Sequence, residues 1–309
     1  MKLNIKFYLV RFFNLVRFIN YPMRTILVPD NFGARIFWSR INFLLHFLDI
    51  KKRKQLIKNY PSLTTIPIDK GFSFSKHSLT KEVNQLIKHL QNINWDEKSN
   101  SLKKPFLQSI NYKYGDLDCL DKIISPPEIV GTVGSYLGVF PVFHRASILY
   151  SPNDEEFNGV SQDAHIDSED ILQVKCWIPL EEITDDSGPL NVLSSIRSRE
   201  IYSQMKKDKL VSRRNEKISD IIINKYVDSK EWFKCVGKSD QVFFVDTCNC
   251  YHFGSRKAKK SRLVLMIHYC TPASMEMPFF VRRKDKRFYG DLAYLVGYQN
   301  QLFTNKHKP

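Results

Sequence analysis

The sequence predicts an all-β core with helices flanking it, an α+β arrangement. Two observations carry this. Short apolar runs separated by turn-forming segments recur between about residues 140 and 275, which is the texture of a sandwich or barrel. Helix-period spacing precedes those runs, so the helices come first and pack against the strands. The chain has 309 residues, 43% of them hydrophobic, which is ample for a buried core.

Val83, Leu86, Ile87 and Leu90 recur at helical spacing and predict an amphipathic helix over about residues 79–92. A second helix should begin near Pro126-Pro127, run through Ile129, Val130, Val133 and Leu137, and stop at about Gly138. Strands are then expected at Val142–Tyr150, Ile171–Leu180, Leu190–Leu193, Gln241–Val245 and Leu263–Tyr269. Thr184-Asp185-Asp186-Ser187-Gly188-Pro189 reads as a loop. Residues 198–238 are polar and basic. An insert of that length inside a compact domain is a functional lid or carries its own helices.

Charge is uneven along the chain. Lysine and arginine outnumber aspartate and glutamate by 47 to 32, a net +15. Residues 1–60 hold twelve of the bases and only Asp30 and Asp49 as acids. Aromatic and aliphatic residues lie between those bases, from Phe7 to Ile19 and again from Ile36 to Leu48, ahead of Lys51-Lys52-Arg53-Lys54. This pattern suits either a helical segment packed on the main domain or contact with an anionic membrane surface. The expected organisation is a basic, apolar helical segment over residues 1–60 and a catalytic domain over 61–309. That domain has its β-core at about 140–275 and the insert at 198–238.

No uncharged apolar run approaches the ~20 residues of a membrane-spanning helix. Lys6, Arg11 and Arg17 interrupt the only stretch resembling a signal peptide. The six cysteines form no regular framework, so reduced thiols are expected in a cytoplasmic protein, peripheral on the membrane if residues 1–60 touch it. Nucleic acid is not the expected partner, because a basic stretch without a binding motif is weak evidence.

The candidate chemistry lies in His165-Ile166-Asp167, His252 and Arg262. Two neutral imidazoles and a carboxylate on one face of an octahedral ion are the ligand set of non-haem Fe(II) oxygenases and leave three positions open. In an extended H-x-D segment, alternation turns both side chains the same way, so a short stretch supplies two ligands. His252 would bring the third from a neighbouring strand. A 2-oxo acid would fill two of the open positions and O2 the third, and Arg262 would grip the far carboxylate with its forked donors. Arg256 and Lys260 are rival cations in the polar turn Ser255–Ser261 and read as a solvated loop. Cys248, Cys250 and His252, with His268 and Cys270 further on, offer a competing zinc set, but Asp246-Thr247-Cys248-Asn249 reads as a turn that would break their common face. His144, His268 and Asp163 are expected to be structural.

His165-Ile166-Asp167, Trp177-Ile178-Pro179-Leu180-Glu181-Glu182, Ser187-Gly188-Pro189-Leu190, Ser239 through Phe244, and His252 through Arg262 together resemble the phytanoyl-CoA dioxygenase family of Fe(II)/2-oxoglutarate oxygenases. The resemblance spans roughly residues 120–275. It implies a double-stranded β-helix, the cupin-like jelly roll, with N-terminal helices alongside. It also implies iron ligands at His165, Asp167 and His252, a 2-oxoglutarate partner at Arg262, and Trp177 near the cosubstrate. Two positions depart from the family pattern. Ser194-Ser195-Ile196-Arg197 stands where Pro-Gly-Ser-His is frequent, and Ile166 stands where a polar residue is common.

The expected activity is hydroxylation of a small or lipid-linked organic substrate, using Fe(II), 2-oxoglutarate and O2, with ascorbate in a supporting role. A catalytically silent jelly-roll binding module is the alternative.

Overall fold

The computed structural model describes residues 32–93, 95, 107–152, 162–214, 216–254, 256, 258–274 and 287–297. The basic and aromatic residues before 32 and most of the C-terminal basic stretch lie outside them.

Helices α1 (Phe32–Leu45) and α2 (Phe47–Leu56) lead to strand β1 (Phe72–Lys76), helix α3 (Thr80–Leu90) and strand β2 (Gln108–Tyr112). Helices α4 (Asp118–Ile124) and α5 (Pro127–Leu137) follow. The start of α5 on Pro127 and its end at Gly138 agree with the sequence, and Gly138 adopts φ 70°, the left-handed cap open to glycine. Next come β3 (Val142–Ser151), β4 (Val174–Pro179), β5 (Asn191–Val192), helices α6 (Ser195–Lys207) and α7 (Asp220–Ile223), β6 (Phe233–Lys234), β7 (Gln241–Val245), β8 (His252–Phe253) and β9 (Arg262–Cys270).

The strands form two antiparallel sheets, one in the order β1-β7-β4-β9-β3-β2 and the other β6-β5-β8. Residues 164–165 add a further rung to the small sheet, where His165 bridges His252. From β3 onward the chain crosses from one sheet to the other at almost every step, which is the winding of a jelly roll. Side-chain alternation then divides the large sheet. Val174, Cys176 and Ile178, with Val242, Phe244, Leu265 and Ile267, join the apolar cluster under α3, α4 and α5. Phe243, Val245 and Trp177 turn the other way, toward Leu190, Val192 and Phe233 of the small-sheet side. The interior between the sheets is therefore where polar side chains of β3, β4 and β9 can meet.

One expected strand is shorter in the structure, and the insert takes one of the two forms expected of it. The strand expected over Ile171–Leu180 begins only at Val174. The 198–238 insert carries α6 and α7, and Ile201, Met205, Ile218, Ile223 and Trp232 form a second core with Ala164, Ile166 and Tyr251. Ser194, in the segment that departs from the family pattern, caps α6 by accepting from the Arg197 N–H at 3.3 Å. On the other side of the molecule Arg53 is fully buried. It pairs with Asp49 at 2.9 Å and donates to the carbonyls of Pro141 (2.9 Å) and Tyr294 (2.7 Å), which ties α2 to the core. No helix among the described residues is long and apolar enough to cross a membrane.

Candidate metal centre

The H-x-D segment is not a regular strand. A single antiparallel bridge positions it: the His165 N–H donates to the His252 carbonyl at 3.1 Å, and the His252 N–H returns the bond at 3.0 Å. The Asp167 N–H then donates to the Thr247 carbonyl at 2.8 Å. These bonds keep the segment extended, so His165 and Asp167 face one way and Ile166 the other. Ile166 is buried in the second core, away from the site. An apolar residue between two candidate ligands is thus a packing requirement.

His165, Asp167 and His252 are brought together, with one ligand atom from each lying within 4.8 Å of the others, and they are the only such group among the described residues. The imidazole Nε2 atoms stand 3.9 Å (His165) and 3.7 Å (His252) from the Asp167 carboxylate oxygens. Each ring's Nδ1 lies against a backbone carbonyl, that of Asp163 for His165 (2.8 Å) and that of Cys250 for His252 (3.0 Å). A carbonyl only accepts, so Nδ1 carries the proton and Nε2 presents a lone pair. Burial lowers the His252 pKa to about 3, keeping that ring neutral. Burial alone would raise the Asp167 pKa, but the Lys175 ammonium, bonded to it at 2.5 Å, holds it well below the usual carboxylate range. Two neutral nitrogen donors and one anionic oxygen converge on a point, and this donor set fits a divalent first-row metal.

The triad opens into a cavity of about 340 Å3 between the sheets. Trp177 and Lys175 of β4, Arg262 and Met266 of β9, Arg145, Ser147 and Leu149 of β3, and Leu190 line it. Arg262 is buried at the start of β9, where it donates to the Gly188 carbonyl at 2.5 Å and to the Ser151 hydroxyl at 3.3 Å. Burial lowers its pKa to about 10, so it stays a cation at neutral pH. The Trp177 indole N–H is buried with no hydrogen-bond partner among the described residues, on a side chain that borders the same cavity.

Three charged residues at this site escaped the sequence reading. Lys175 is buried and reaches Asp167 Oδ2 at 2.5 Å and Glu169 Oε1 at 3.7 Å. Arg145 lies 3.8 Å from Glu169. One signal was present: Lys175 is the only charge in the run from Ile171 to Leu180 and has the same parity as Trp177.

The rival assignments resolve differently. Residues 247–249 form a turn, and Cys248 and Cys250 are buried without joining any ligand cluster among the described residues. Arg256 does not belong to a solvated loop. Its guanidinium stacks on Phe253 at 3.7 Å, bonds Asp220 at 2.5 Å and donates to the Gln162 carbonyl, so it locks α7 against the site. Lys260 is exposed. His144 and His268 pack ring on ring at 4.6 Å, and the Asp163 carbonyl orients His165.

No protein-family model matches the chain, and no curated protein matches it. Solved structures with a similar course of the backbone do exist. EctD from S. alaskensis in its apo form is 14% identical, covering 68% of this chain and 81% of its own, with a TM-score of 0.47. EvdO2 from Micromonospora carbonacea var. aurantiaca is 14% identical, covering 71% and 94%, with a TM-score of 0.47. The non-haem alpha-ketoglutarate-dependent carbocyclase SnoK from nogalamycin biosynthesis is 12% identical, covering 72% and 83%, with a TM-score of 0.43.

Proposed function

We propose that this chain is an Fe(II)- and 2-oxoglutarate-dependent oxygenase that hydroxylates a small or lipid-linked organic substrate. The observation that carries the reading is the convergence of two Nε2 lone pairs and one carboxylate, with both Nδ1 protons already committed to backbone carbonyls. His165, Asp167 and His252 would hold the metal, and Arg262 would grip the distal carboxylate of the cosubstrate. When bound, iron and 2-oxoglutarate supply oxidation of a C–H bond by O2, with release of CO2 and succinate. The chain's own contribution is to orient these groups, to turn both Nε2 atoms toward one point and to limit water in the cavity.

The test is Fe(II)-dependent decarboxylation of 2-oxoglutarate. Wild type should form succinate, and His165→Ala and Asp167→Ala should not. Absence of succinate from the iron-loaded wild type under every substrate tried would favour a binding module that keeps the fold without the chemistry.

The same reading extends to the place of action. Phe43, Leu44, Phe47 and Leu48 are exposed on α1 and α2, directly ahead of the exposed Lys51, Lys52 and Lys54. Apolar side chains beside lysines suit the interface of an anionic bilayer. Co-sedimentation with phosphatidylserine vesicles should therefore fall in Leu44→Glu/Leu48→Glu. Equal recovery of the variant and the wild type would remove the membrane from the proposal.

A further inference from the structure

Arg145 is the cation at this site that the oxygenase reading leaves without a task. It lies on the inner face of β3 and borders the cavity. Among the described residues its only charged contact is Glu169 at 3.8 Å, beyond hydrogen-bond length, and its buried Nε has no partner. Neither Nη makes a hydrogen bond with any described residue. Ser109 and Asn111 of the adjacent strand line the same mouth, and the Asn111 Oδ1 is occupied by the Ser147 hydroxyl at 2.6 Å, which leaves its amide N–H groups as donors.

The register fixes how far the Arg145 backbone stands from that of Lys175. Arg145 and Lys175 are both paired with His268, one from each side of β9. Two strand spacings separate their backbones, roughly 9–10 Å. Lys175 touches Asp167 at 2.5 Å and shares Glu169 Oε1 with Arg145, at 3.7 Å and 3.8 Å, so Glu169 stands between Arg145 and the Lys175–Asp167 contact. Charge balance points the same way. Arg145, Lys175 and Arg262 face the cavity against Asp167 and Glu169. A ferrous ion and a 2-oxoglutarate dianion cancel one another, so the loaded site keeps one positive charge in excess. A half-buried, poorly bonded guanidinium in such a field is stabilised by an anion and repels a cation.

We infer that Arg145 anchors a negatively charged group of the substrate, a carboxylate or a phosphate ester, at the cavity mouth. The substrate's apolar portion then lies along Leu149, Leu190 and Met266 toward the triad. This inference rests on the oxygenase reading for the word substrate, but the anion site itself does not depend on it.

The experiment titrates four probes of one chain length, octanoate, octyl phosphate, octylamine and octanol, into the Fe(II)- and 2-oxoglutarate-loaded protein without oxygen. Binding is read by calorimetry. Visible absorption of the iron complex reports independently that metal and cosubstrate are in place. At least one of the two acids should bind wild type, and the amine and the alcohol should bind at least tenfold more weakly. Arg145→Gln should weaken the acid by roughly ten- to a hundredfold, the loss of a charge-assisted hydrogen bond, and Arg145→Lys should recover part of it. Melting curves show that both variants are folded. Octanoate competing with octyl phosphate identifies which head group the site prefers. Binding of the amine or alcohol as tight as the acids, unchanged acid affinity in Arg145→Gln, or no acid binding would each overturn the inference. An equal loss of 2-oxoglutarate affinity in Arg145→Gln would also overturn it, by making Arg145 part of the cosubstrate grip. If the visible absorption never forms, the oxygenase reading fails, and the same titration on metal-free protein still decides Arg145.

Discussion

His165 and His252 are directly opposed residues of one antiparallel pair, exchanging both backbone hydrogen bonds and holding their ring centroids 4.4 Å apart. Opposed residues of this hydrogen-bonded type keep their Cα atoms about 5.5 Å apart and their side chains on one face. The distance between the two nitrogen donors is therefore set by the backbone ladder. Each Nδ1 bond to a carbonyl two residues earlier in its own chain fixes the ring's rotation as well. Little side-chain freedom remains to be lost when a metal binds.

The first prediction is a metal-dependent stability. Ni(II) or Co(II), which do not turn over with oxygen as iron does, should raise the melting temperature of wild type. At a free metal concentration a hundredfold above Kd the gain is about 2.7 kcal/mol. His252→Ala should show no such gain, because two remaining donors hold a divalent ion weakly. Thermal melts with and without metal check this, and an equal shift in both proteins would place the metal elsewhere.

Gly188 supports Arg262, the cation proposed to face the cosubstrate. It adopts φ 59° and offers its carbonyl to Arg262. A Cβ there would lie 3.1 Å from both the backbone nitrogen and oxygen of Arg256, neither of which can swing away as a side-chain tip can. Gly188→Ala should cost about 1–3 kcal/mol in denaturant unfolding, and should raise KM for 2-oxoglutarate by displacing Arg262. A variant with wild-type stability and KM would show that the loop yields freely.

Trp177 should separate binding from folding. Its indole N–H is buried beside the cavity and has no partner among the described residues. Trp177→Phe therefore removes no internal hydrogen bond, and the melting temperature should hold or rise. If that N–H serves the cosubstrate, KM for 2-oxoglutarate should rise by roughly two- to tenfold, the worth of one neutral hydrogen bond. Unchanged KM would assign the indole to packing alone.

Much of this site was legible because alternation and ligand chemistry leave marks in sequence. H-x-D needs extended backbone, Arg262 opens a long apolar strand, and Pro127 and Gly138 bracket a helix. What was illegible depends on partners distant in the chain. Arg145 and Lys175 meet Glu169 only after β3, β4 and β9 align. Arg256 looked solvated because nothing local announces that Phe253 lies beneath it and Asp220, 36 residues earlier, pairs with it. The short strands β1 and β2 carry polar alternation too weak to stand out from loops, and their pairing to β7 and β3 is non-local.

The last prediction concerns acid. His268 lies under the site, with Nε2 2.9 Å from the Gln173 Oε1, while Gln173 donates to the Thr247 hydroxyl at 2.8 Å. Thr247 in turn accepts from the Asp167 N–H, so His268 ends a buried chain that supports a candidate ligand. Burial, with His144 and the cations Lys175 and Arg145 adding to it, lowers the His268 pKa well below 6.5. The unfolded chain therefore takes up a proton at this position near pH 6.5 while the folded chain does not. The stability contribution is complete above that pH and is lost as pH falls below it, by up to about 1.4 kcal/mol per pH unit. Asp170 and Asp246 act in the opposite sense, since burial raises their pKa values to about 7 and about 6. The total pH curve thus mixes opposing slopes, and only a difference isolates His268. Denaturant unfolding of wild type and His268→Gln at pH 5.0, 5.75 and 6.5 (round values bracketing the lower side of about 6.5) should show a shallower fall for the variant. Glutamine can still donate to Gln173, so the chain to Asp167 persists while the titration disappears. Parallel curves would mean that His268 is protonated in the folded protein, and that the buried chain carries a charge next to Lys175.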